Sequence, residues 1–374
     1  MANKAIVIGA GIVGLATARA LSLKGYTVTV IERTDKAVGA SIRNFGMVWP
    51  IGQPAGELYN RALRSKEIWK EAAQYVGINY NECGSLHTAY FNDEWIVLQE
   101  LYEIFKAEGR SVTLLNPAAI IAKYPAVNPA GLIGGLFSDS EMIVDPRAAI
   151  AGIPTYLTEV LKVQFIWGKC VTAVELNKVY MGKESLEADL IFICNGADFE
   201  TLYPELFNKM DITKCKLQMM RFKSSTNNFD LGVSLCGGLS LIHYSSFKAA
   251  SSLAILKNRY ETEMPEYVNN GIHVMVSQNN GGELTVGDSH EYGLTHDPFD
   301  RTHINELILN YLKQFALTND WQLFQSWNGI YPKMTNGENH IFLNPHNNIY
   351  ILNGLGGAGM TLSFGLAEEI IDKI

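Results

Sequence analysis

The segment that most constrains the fold lies at the start of the chain. Residues 5–8, Ala-Ile-Val-Ile, make a short apolar run of the kind that forms a buried strand. Gly9, Gly11 and Gly14 follow as G-x-G-x-x-G, with Ile12 and Val13 inside the motif. Residues 12–24 are helical in composition, and a second apolar run, 27–31, ends in Glu32 beside Arg33. Strand, glycine turn, helix and acid-tipped strand in this order frame a dinucleotide site. Gly9 permits a tight turn, Gly11 puts no side chain between the backbone and a pyrophosphate, and Gly14 lets helix and strand pack closely. The helix N-terminus offers free N–H groups and partial positive charge to the phosphates. Glu32 can accept hydrogen bonds from ribose hydroxyls and disfavours a 2′-phosphate, which argues against NADP. This stretch leaves NAD and FAD both open.

Composition narrows the class. The 374 residues suffice for two domains or one large one, and 47% hydrophobic residues predict a packed core. A net charge of −8 argues against a nucleic-acid partner. The five cysteines, at 83, 170, 194, 215 and 236, form neither a C-x-x-C pair nor a Cys/His run. That usage predicts a reduced, cytoplasmic protein without a structural metal. No apolar run reaches 18 residues, so no membrane span is expected. The glycines of the apolar N-terminal stretch argue for strand and turn rather than a signal peptide.

Residues 39–50 combine glycine with Ala40, Ser41, Arg43, Asn44, Phe45, Gly46 and Trp49, too polar for a strand and too aromatic for a solvent linker. They read as a loop laid along the cofactor, with Gly46 allowing close approach. A clear helix is predicted over 57–76, with Arg61, Arg64, Lys66 and Lys70 as its solvated face. Further expectations are a strand at 85–91, helices at 93–108 and 117–124, and a hairpin-like pair at 133–137 and 142–144. Asp145-Pro-Arg147 starts a helix that Pro154 should kink or restart. Residues 163–166 and 170–176 read as a strand pair, and 189–197 as a buried parallel strand ending in Asn195, Gly196 and Ala197. Ligands bind at the carboxyl ends of strands in open α/β sheets, which makes those three residues cofactor candidates. Residues 214–222 and 239–247 alternate like β-strands, 273–287 reads as a hairpin, and 300–317 as a helix. This middle part reads as an antiparallel sheet with a helix on it.

The end of the chain returns to the α/β style, with a strand at 348–352, a glycine loop from Gly354 through Gly356, Gly357, Gly359 and Met360 to Thr361, and a helix over 362–374. The chain thus carries a second backbone-built anion site. One suffices for a pyrophosphate. The other suits negative charge that develops on a reduced flavin, whereas a nicotinamide becomes neutral on reduction, so FAD is favoured over NAD.

Together these motifs resemble the D-amino acid oxidase / sarcosine oxidase superfamily of FAD enzymes, over nearly the whole chain. The marks are the glycine motif with Glu32, the Gly39-Ala-Ser41 loop, Asn195-Gly-Ala197, Trp327-x-Gly-x-Tyr-Pro332 and the C-terminal glycine loop. Three further stretches, 43–50, 237–244 and 287–293, look like the branch associated with bacterial aminophosphonate catabolism, which acts on N-alkylated 2-aminoethylphosphonates. The resemblance implies a Rossmann-type, glutathione reductase-like FAD domain (1–85, 145–210 and 325–374) interleaved with an antiparallel-sheet substrate domain (86–144 and 211–324). Adenosine would lie near Glu32 and Val171, the pyrophosphate at Gly11 to Gly14 with Ser41 nearby, and the flavin between Arg43–Gly46 and Gly356–Thr361. Some sarcosine oxidases attach the flavin through a cysteine just before the segment matching Tyr331-Pro332. Gly329 and Ile330 stand there in this chain, so the expected FAD is non-covalent. A lysine that promotes oxygen reactivity in that group has no clear match here. Ser240 falls near its place and Lys248 and Lys333 are possible substitutes, so O2 and another electron acceptor both stay open.

The implied reaction oxidises the C–N bond of a small anionic amine by hydride transfer to flavin N5, followed by imine hydrolysis. The protein's tasks are then orientation, desolvation and holding the anionic end, for which arginine is the usual group. Candidates are His243 with Tyr244, read as strand residues after a Gly-Gly turn, and Arg43 and Lys333 at the flavin edge. His273 and His290, taken singly, read as structural or surface residues. Trp49 and Trp327 are candidate walls of an aromatic pocket, and Arg221 reads as an edge charge. A glycine/sarcosine/D-amino acid oxidase type is the nearest alternative, and a non-catalytic flavoprotein is the alternative from another class.

Overall fold

The computed structural model describes residues 3–226 and 228–374. A six-stranded sheet carries the glycine motif, in the order Ile341–His346, Ile349–Asn353, Leu190–Ile193, Lys4–Ile8, Thr27–Glu32, Gln164–Trp167. All neighbours pair in parallel except the edge hairpin formed by Ile341–His346 and Ile349–Asn353. Period-2 alternation decides what each face buries. Ala5 and Val7 pack into a core under the helices Ile12–Leu23, Glu57–Val76, Pro146–Glu159 and Gly359–Ile371. Ile6 and Ile8 pack into a second core with Val179, in the antiparallel sheet Ala173–Glu175, Lys178–Met181, Glu184–Glu187.

A nine-stranded sheet forms the other half, in the order Glu291–Gly293, Ile212–Ser224, Glu283–Gly287, Met275–Gln278, Ser234–Cys236, Ser85–Ala89, Gly134–Ser138, Val112–Leu115, with Trp321–Met334 also paired to Ile212–Ser224. Its core takes Leu101 and Phe105 from helix Asn92–Ala107 and Ile308 and Phe315 from helix Thr302–Phe315. The strand Trp321–Met334 runs across residue 325 and pairs along its length with Ile212–Ser224 in the nine-stranded sheet, so that sheet continues past the expected domain boundary. A small sheet of Met47–Val48, Met142–Val144 and Tyr80–Asn81 lies between them in the chain order.

Several local expectations are corrected. Residues 239–247 are not a strand but lie in two 3-10 turns, Gly238–Ile242 and Ser245–Ala249, in which Leu239, Leu241 and Phe247 are all buried. Strands Gly134–Ser138 and Met142–Val144 do not pair. The first is taken on both sides by Ser85–Ala89 and Val112–Leu115, the second by Met47–Val48 and Tyr80–Asn81. Likewise Gln164–Trp167 and Ala173–Glu175 belong to different sheets. Helix Pro146–Glu159 starts at the expected Asp145 cap but continues through Pro154. Burial of Ile150, Ile153 and Leu157 outweighs the missing N–H, a cost of about 3 kcal/mol. The basic face of Glu57–Val76 is only partly solvated. Arg61 is buried and pairs with Glu57 and Glu369, and Lys66 is buried against Glu82. The last helix begins at Gly359, so Gly359, Met360 and Thr361 form its first turn rather than a loop.

Candidate active site

A cavity of about 750 Å3 runs from the carboxyl ends of Lys4–Ile8, Thr27–Glu32 and Leu190–Ile193 to the nine-stranded sheet, where Leu217, Met219 and Met275 line it. At its first end the glycines act through backbone packing. Gly9 has φ +101°, and a Cβ there would stand 2.4 Å from the Cys194 carbonyl oxygen. A Cβ on Gly14 would stand 1.9 Å from the Gly9 carbonyl oxygen, so Gly14 supports the turn from behind and does not itself line the cavity. Glu32 Oε2 accepts from the Ala10 N–H at 2.9 Å, and Oε1 from the Thr34 N–H and hydroxyl at 3.1 and 2.8 Å. Oε2, which accepts once, keeps capacity for a further donor. Ser41 Oγ accepts from the Ile12 N–H at 2.9 Å, while the first-turn amides of Val13 and Gly14 have no acceptor within the helix. Arg33 lines the cavity and pairs with Asp198. Asn353 Nδ2 donates at 2.9 Å to both Asn195 Oδ1 and the Gly196 carbonyl, tying two strand ends together beside Ala197 and Val171.

The middle of the cavity is lined by Ala40, Ser41, Arg43, Asn44 and Phe45, and by Gly329, Gly354, Gly356, Gly357, Gly359, Met360 and Thr361. A Cβ on Gly329 would stand 3.0 Å from the Arg43 carbonyl oxygen, so strand and loop touch there only because residue 329 is glycine. Arg43 Nη1 donates to the Asn328 carbonyl at 3.3 Å. Gly46 is a correction. It lies off the cavity, with φ +74° and a would-be Cβ 1.9 Å from the Val144 carbonyl oxygen, so its close approach is to protein and not to a ligand. Thr361 Oγ1 accepts from the Trp49 N–H at 3.0 Å and fixes the aromatic wall. Trp49 lines the cavity, but Trp327 does not, its ring lying 4.7 Å from the buried Arg221 guanidinium.

The inner end gathers residues that are far apart in sequence. His243 follows one 3-10 turn and Tyr244 precedes the next, so both stand on turns and not on the expected strand. His273 precedes strand Met275–Gln278 and His290 follows Glu283–Gly287. Ring centres lie 3.7 Å apart for His243 and His273, 4.8 Å for His243 and His290, and 5.0 Å for His273 and His290. The Tyr244 ring lies 5.1 Å from that of His243, with its hydroxyl 3.2 Å from Met275 Sδ. Lys333 lines the same end, its Nζ 3.2 Å from the Tyr292 hydroxyl. Burial, reinforced by the Lys333 charge, holds His243 and His273 well below the usual imidazole range and brings His290 down to about 4. The three rings are therefore neutral at neutral pH. The sequence had singled out each histidine, but its spacing carried no signal that they meet. Lys248, Asp288 and Tyr331 also line this end, whereas Ser240 is buried away from the cavity and donates to the Gly237 carbonyl at 2.6 Å.

The profile of a family described as "DAO: FAD dependent oxidoreductase" matches residues 4–373. The chain belongs to this DAO family of FAD-dependent oxidoreductases. Among curated relatives, mitochondrial L-2-hydroxyglutarate dehydrogenase of Pongo abelii is 29% identical over 191 residues, which is 50% of this chain and 43% of that protein. The match thus spans less than half the length of that relative. Solved structures share the fold across almost the whole chain. L-proline dehydrogenase from P. horikoshii superposes with a TM-score of 0.80 at 18% identity, over 99% of this chain and 92% of that one. Iminodiacetate oxidase from Chelativorans sp. BNC1 gives 0.75 at 17% identity, over 98% and 94%.

The residues present fit the DAO-family cofactor. Two helix starts, at Ile12 and Gly359, open on the cavity with no side chain of the N-cap residue satisfying their amides. Such ends favour negative charge. Open space lies where a Gly196 side chain would stand, and a Cβ on Gly357 would meet only the Tyr331 side chain, 3.6 Å from its hydroxyl oxygen. These positions leave room for a flat ligand to lie against the backbone. Five cysteines are free, and no helix among the described residues is long and apolar enough to cross a membrane.

Proposed function

We propose that this protein oxidises the C–N bond of a small N-alkylated amine bearing an oxyanion, with N-methyl-2-aminoethylphosphonate as the compound of choice, and that it holds FAD non-covalently. The observation that carries this reading is the continuity of one cavity from the glycine-built cleft to an end lined by Lys333, Tyr244 and three histidines. FAD, when bound, supplies the acceptor for the two electrons released from the carbon beside nitrogen. The chain's own residues do the rest. Gly9, Gly11, Ile12, Val13, Glu32 and Ser41 take the nucleotide and pyrophosphate, and Arg43–Phe45 and Gly356–Thr361 enclose the ring system. Lys333 places positive charge near the substrate end, which attracts an anion and favours the uncharged form of a neighbouring amine. A neutral His243 can accept the proton that the amine loses. Trp49, Phe45 and Tyr244 exclude water around it.

Non-covalent attachment is supported by where the cysteines stand. The two that line the cavity, Cys170 and Cys194, neighbour Val171 and Asn195 at the nucleotide end, and Cys215, opposite Tyr331 in the strand pairing, is fully buried and does not line it. A secondary amine as substrate is consistent with the iminodiacetate oxidase likeness. A glycine or sarcosine oxidase type of reaction is the second reading, supported by the apolar Leu217, Met219 and Met275 in the lining, which would suit a small amino acid. The test is anaerobic bleaching of the bound flavin with N-methyl-2-aminoethylphosphonate and, separately, sarcosine. Rapid bleaching by the phosphonate alone is the expected result. Bleaching by sarcosine alone would replace the proposal with the second reading.

A further inference from the structure

Three histidines converge at the inner end of the cavity, and each offers a ring nitrogen within 4.8 Å of the others. One of them already spends a nitrogen on the scaffold. His290 Nδ1 lies 2.9 Å from the Gly271 carbonyl, which can only accept, so Nδ1 carries the proton and Nε2 is left free. His273 Nε2 stands 3.1 Å from Asp288 Oδ1 without hydrogen-bond geometry, and both its Nδ1 and Asp288 Oδ1 are buried with no partner among the described residues. On the wall of a cavity, as here, an unpartnered buried ring nitrogen is open to a ligand.

Two ligand classes suit such a cluster, a divalent metal or an oxyanion. Zinc bound at about 2.0–2.1 Å to two imidazole nitrogens in tetrahedral geometry sets the ring centres about 5 Å apart. The pairs at 4.8 and 5.0 Å meet that condition, but His243 and His273, at 3.7 Å with their planes 38° apart, lie face against face and do not. Charge points the same way. The Lys333 ammonium depresses the basicity of all three rings, so its field covers the cluster, repelling a metal ion and attracting an anion. The other titratable groups facing the cluster are Lys248, Asp288, Tyr244, Tyr292, Tyr331 and Cys215, and burial pushes the pKa of each of the last five upward. Lys333 and Lys248 are the cationic side chains at this end, and the histidines are the groups free to gain a charge.

We infer that His243, His273 and His290 together seat the anionic group of the substrate and that the cluster takes up a proton from solvent as the anion enters. The inference rests on the anionic-amine reading above and gives the anion end its residues. It also explains why the inner end has histidines where an arginine would be the usual choice. A seat that is neutral when empty acquires its charge only when an anion is present to share it.

The test uses the FAD-loaded protein and sulfate, whose own charge is constant between about pH 6 and 9. Sulfate is titrated by calorimetry in Tris and in HEPES, so that the difference in buffer ionisation heat counts protons. The expected result is uptake of about one proton per sulfate at pH 7.5. Because the bound state holds more protons, the dissociation constant should rise about tenfold per pH unit. His290→Gln, checked for unchanged flavin content, should weaken sulfate at least tenfold and reduce the uptake. Absence of sulfate binding, or affinity independent of pH without proton uptake, overturns the inference. So does zinc binding that excludes sulfate. Should His290→Gln lose its flavin, the proton count of the unmodified protein decides alone. The two proposals fail separately. Proton-coupled sulfate binding with no bleaching by the phosphonate amine removes the substrate reading and keeps the seat, whereas bleaching with pH-independent binding does the reverse.

Discussion

The two ends of the cavity are built in different ways. The nucleotide end comes from contiguous chain, with the strand, glycine turn, helix and Glu32 of its core all within residues 4–32. It acts through backbone amides and through the absence of side chains. The inner end, which we propose takes the substrate, is assembled from His243, His273, His290 and Lys333, brought together by two turns, a hairpin and a long strand. It acts through side chains whose charge state depends on burial. At Gly9 and Gly14 the first kind of site tolerates no added atoms. The second tolerates substitution in shape and fails in charge.

The most damaging break should therefore be a methyl group at the first end. Gly14→Val places its Cβ against the Gly9 carbonyl oxygen, a backbone atom that cannot yield without opening the turn. Flavin released into the supernatant by acid precipitation, per mole of protein, should fall below about a tenth of the unmodified value, since burying such an overlap costs several kcal/mol. Gly293→Ala is the control, for it lies off the cavity, its backbone has no positive φ and its Cβ would make only ordinary contacts, 3.5 Å to the Thr295 carbonyl oxygen and 3.8 Å to the His296 ring, so flavin content should be unchanged. Full flavin retention in Gly14→Val would remove the distinction between the two ends.

A change at the second end should spare the cofactor and touch only the substrate. His243→Ala should keep its flavin but require about 10- to 100-fold more amine for half-maximal flavin reduction, the range for losing a hydrogen bond to a charged group. Stopped-flow reduction under anaerobic conditions measures it. Unchanged rate and unchanged half-saturation would take His243 out of the site.

This contrast also explains what could be read in the sequence. The glycine motif, Glu32, helix Glu57–Val76 and the second glycine unit were legible because each is a local pattern with one physical solution. The meeting of the histidines was not, since 30 residues separate His243 from His273 and only the hairpin Met275–Gln278 with Glu283–Gly287 returns His290 to His273. Residues 239–247 misled for a related reason. Leu239, Leu241 and Phe247 alternate with polar residues as a strand would, yet short 3-10 turns bury the same side chains by packing on Phe105, Tyr311 and Phe315. Arg61 read as solvent-facing because its partner, Glu369, is 308 residues away.

His87 sharpens the comparison with the smallest effect, because it is a buried histidine outside the cavity. It sits between Trp49 and Phe247, ring centres 5.9 and 5.0 Å away, with neither nitrogen partnered among the described residues. Burial alone brings its pKa down to about 3. The unfolded chain takes up a proton at this residue below about pH 6.5, while the folded protein does not until about pH 3. The unfolded state therefore binds more protons across that interval, and stability falls as pH falls through it. His87 accounts for about 1.4 kcal/mol per pH unit of that decline. In His87→Leu the share disappears, so urea midpoints measured between pH 6 and 4 should fall less steeply than in the unmodified protein. The corresponding slope from His290 should shrink when sulfate is present, since an anion in the seat raises the basicity of the ring, whereas the His87 share should be the same with and without it. A His87 contribution that responds to sulfate would mean that the hydrophobic wall behind Trp49 is electrostatically part of the substrate end.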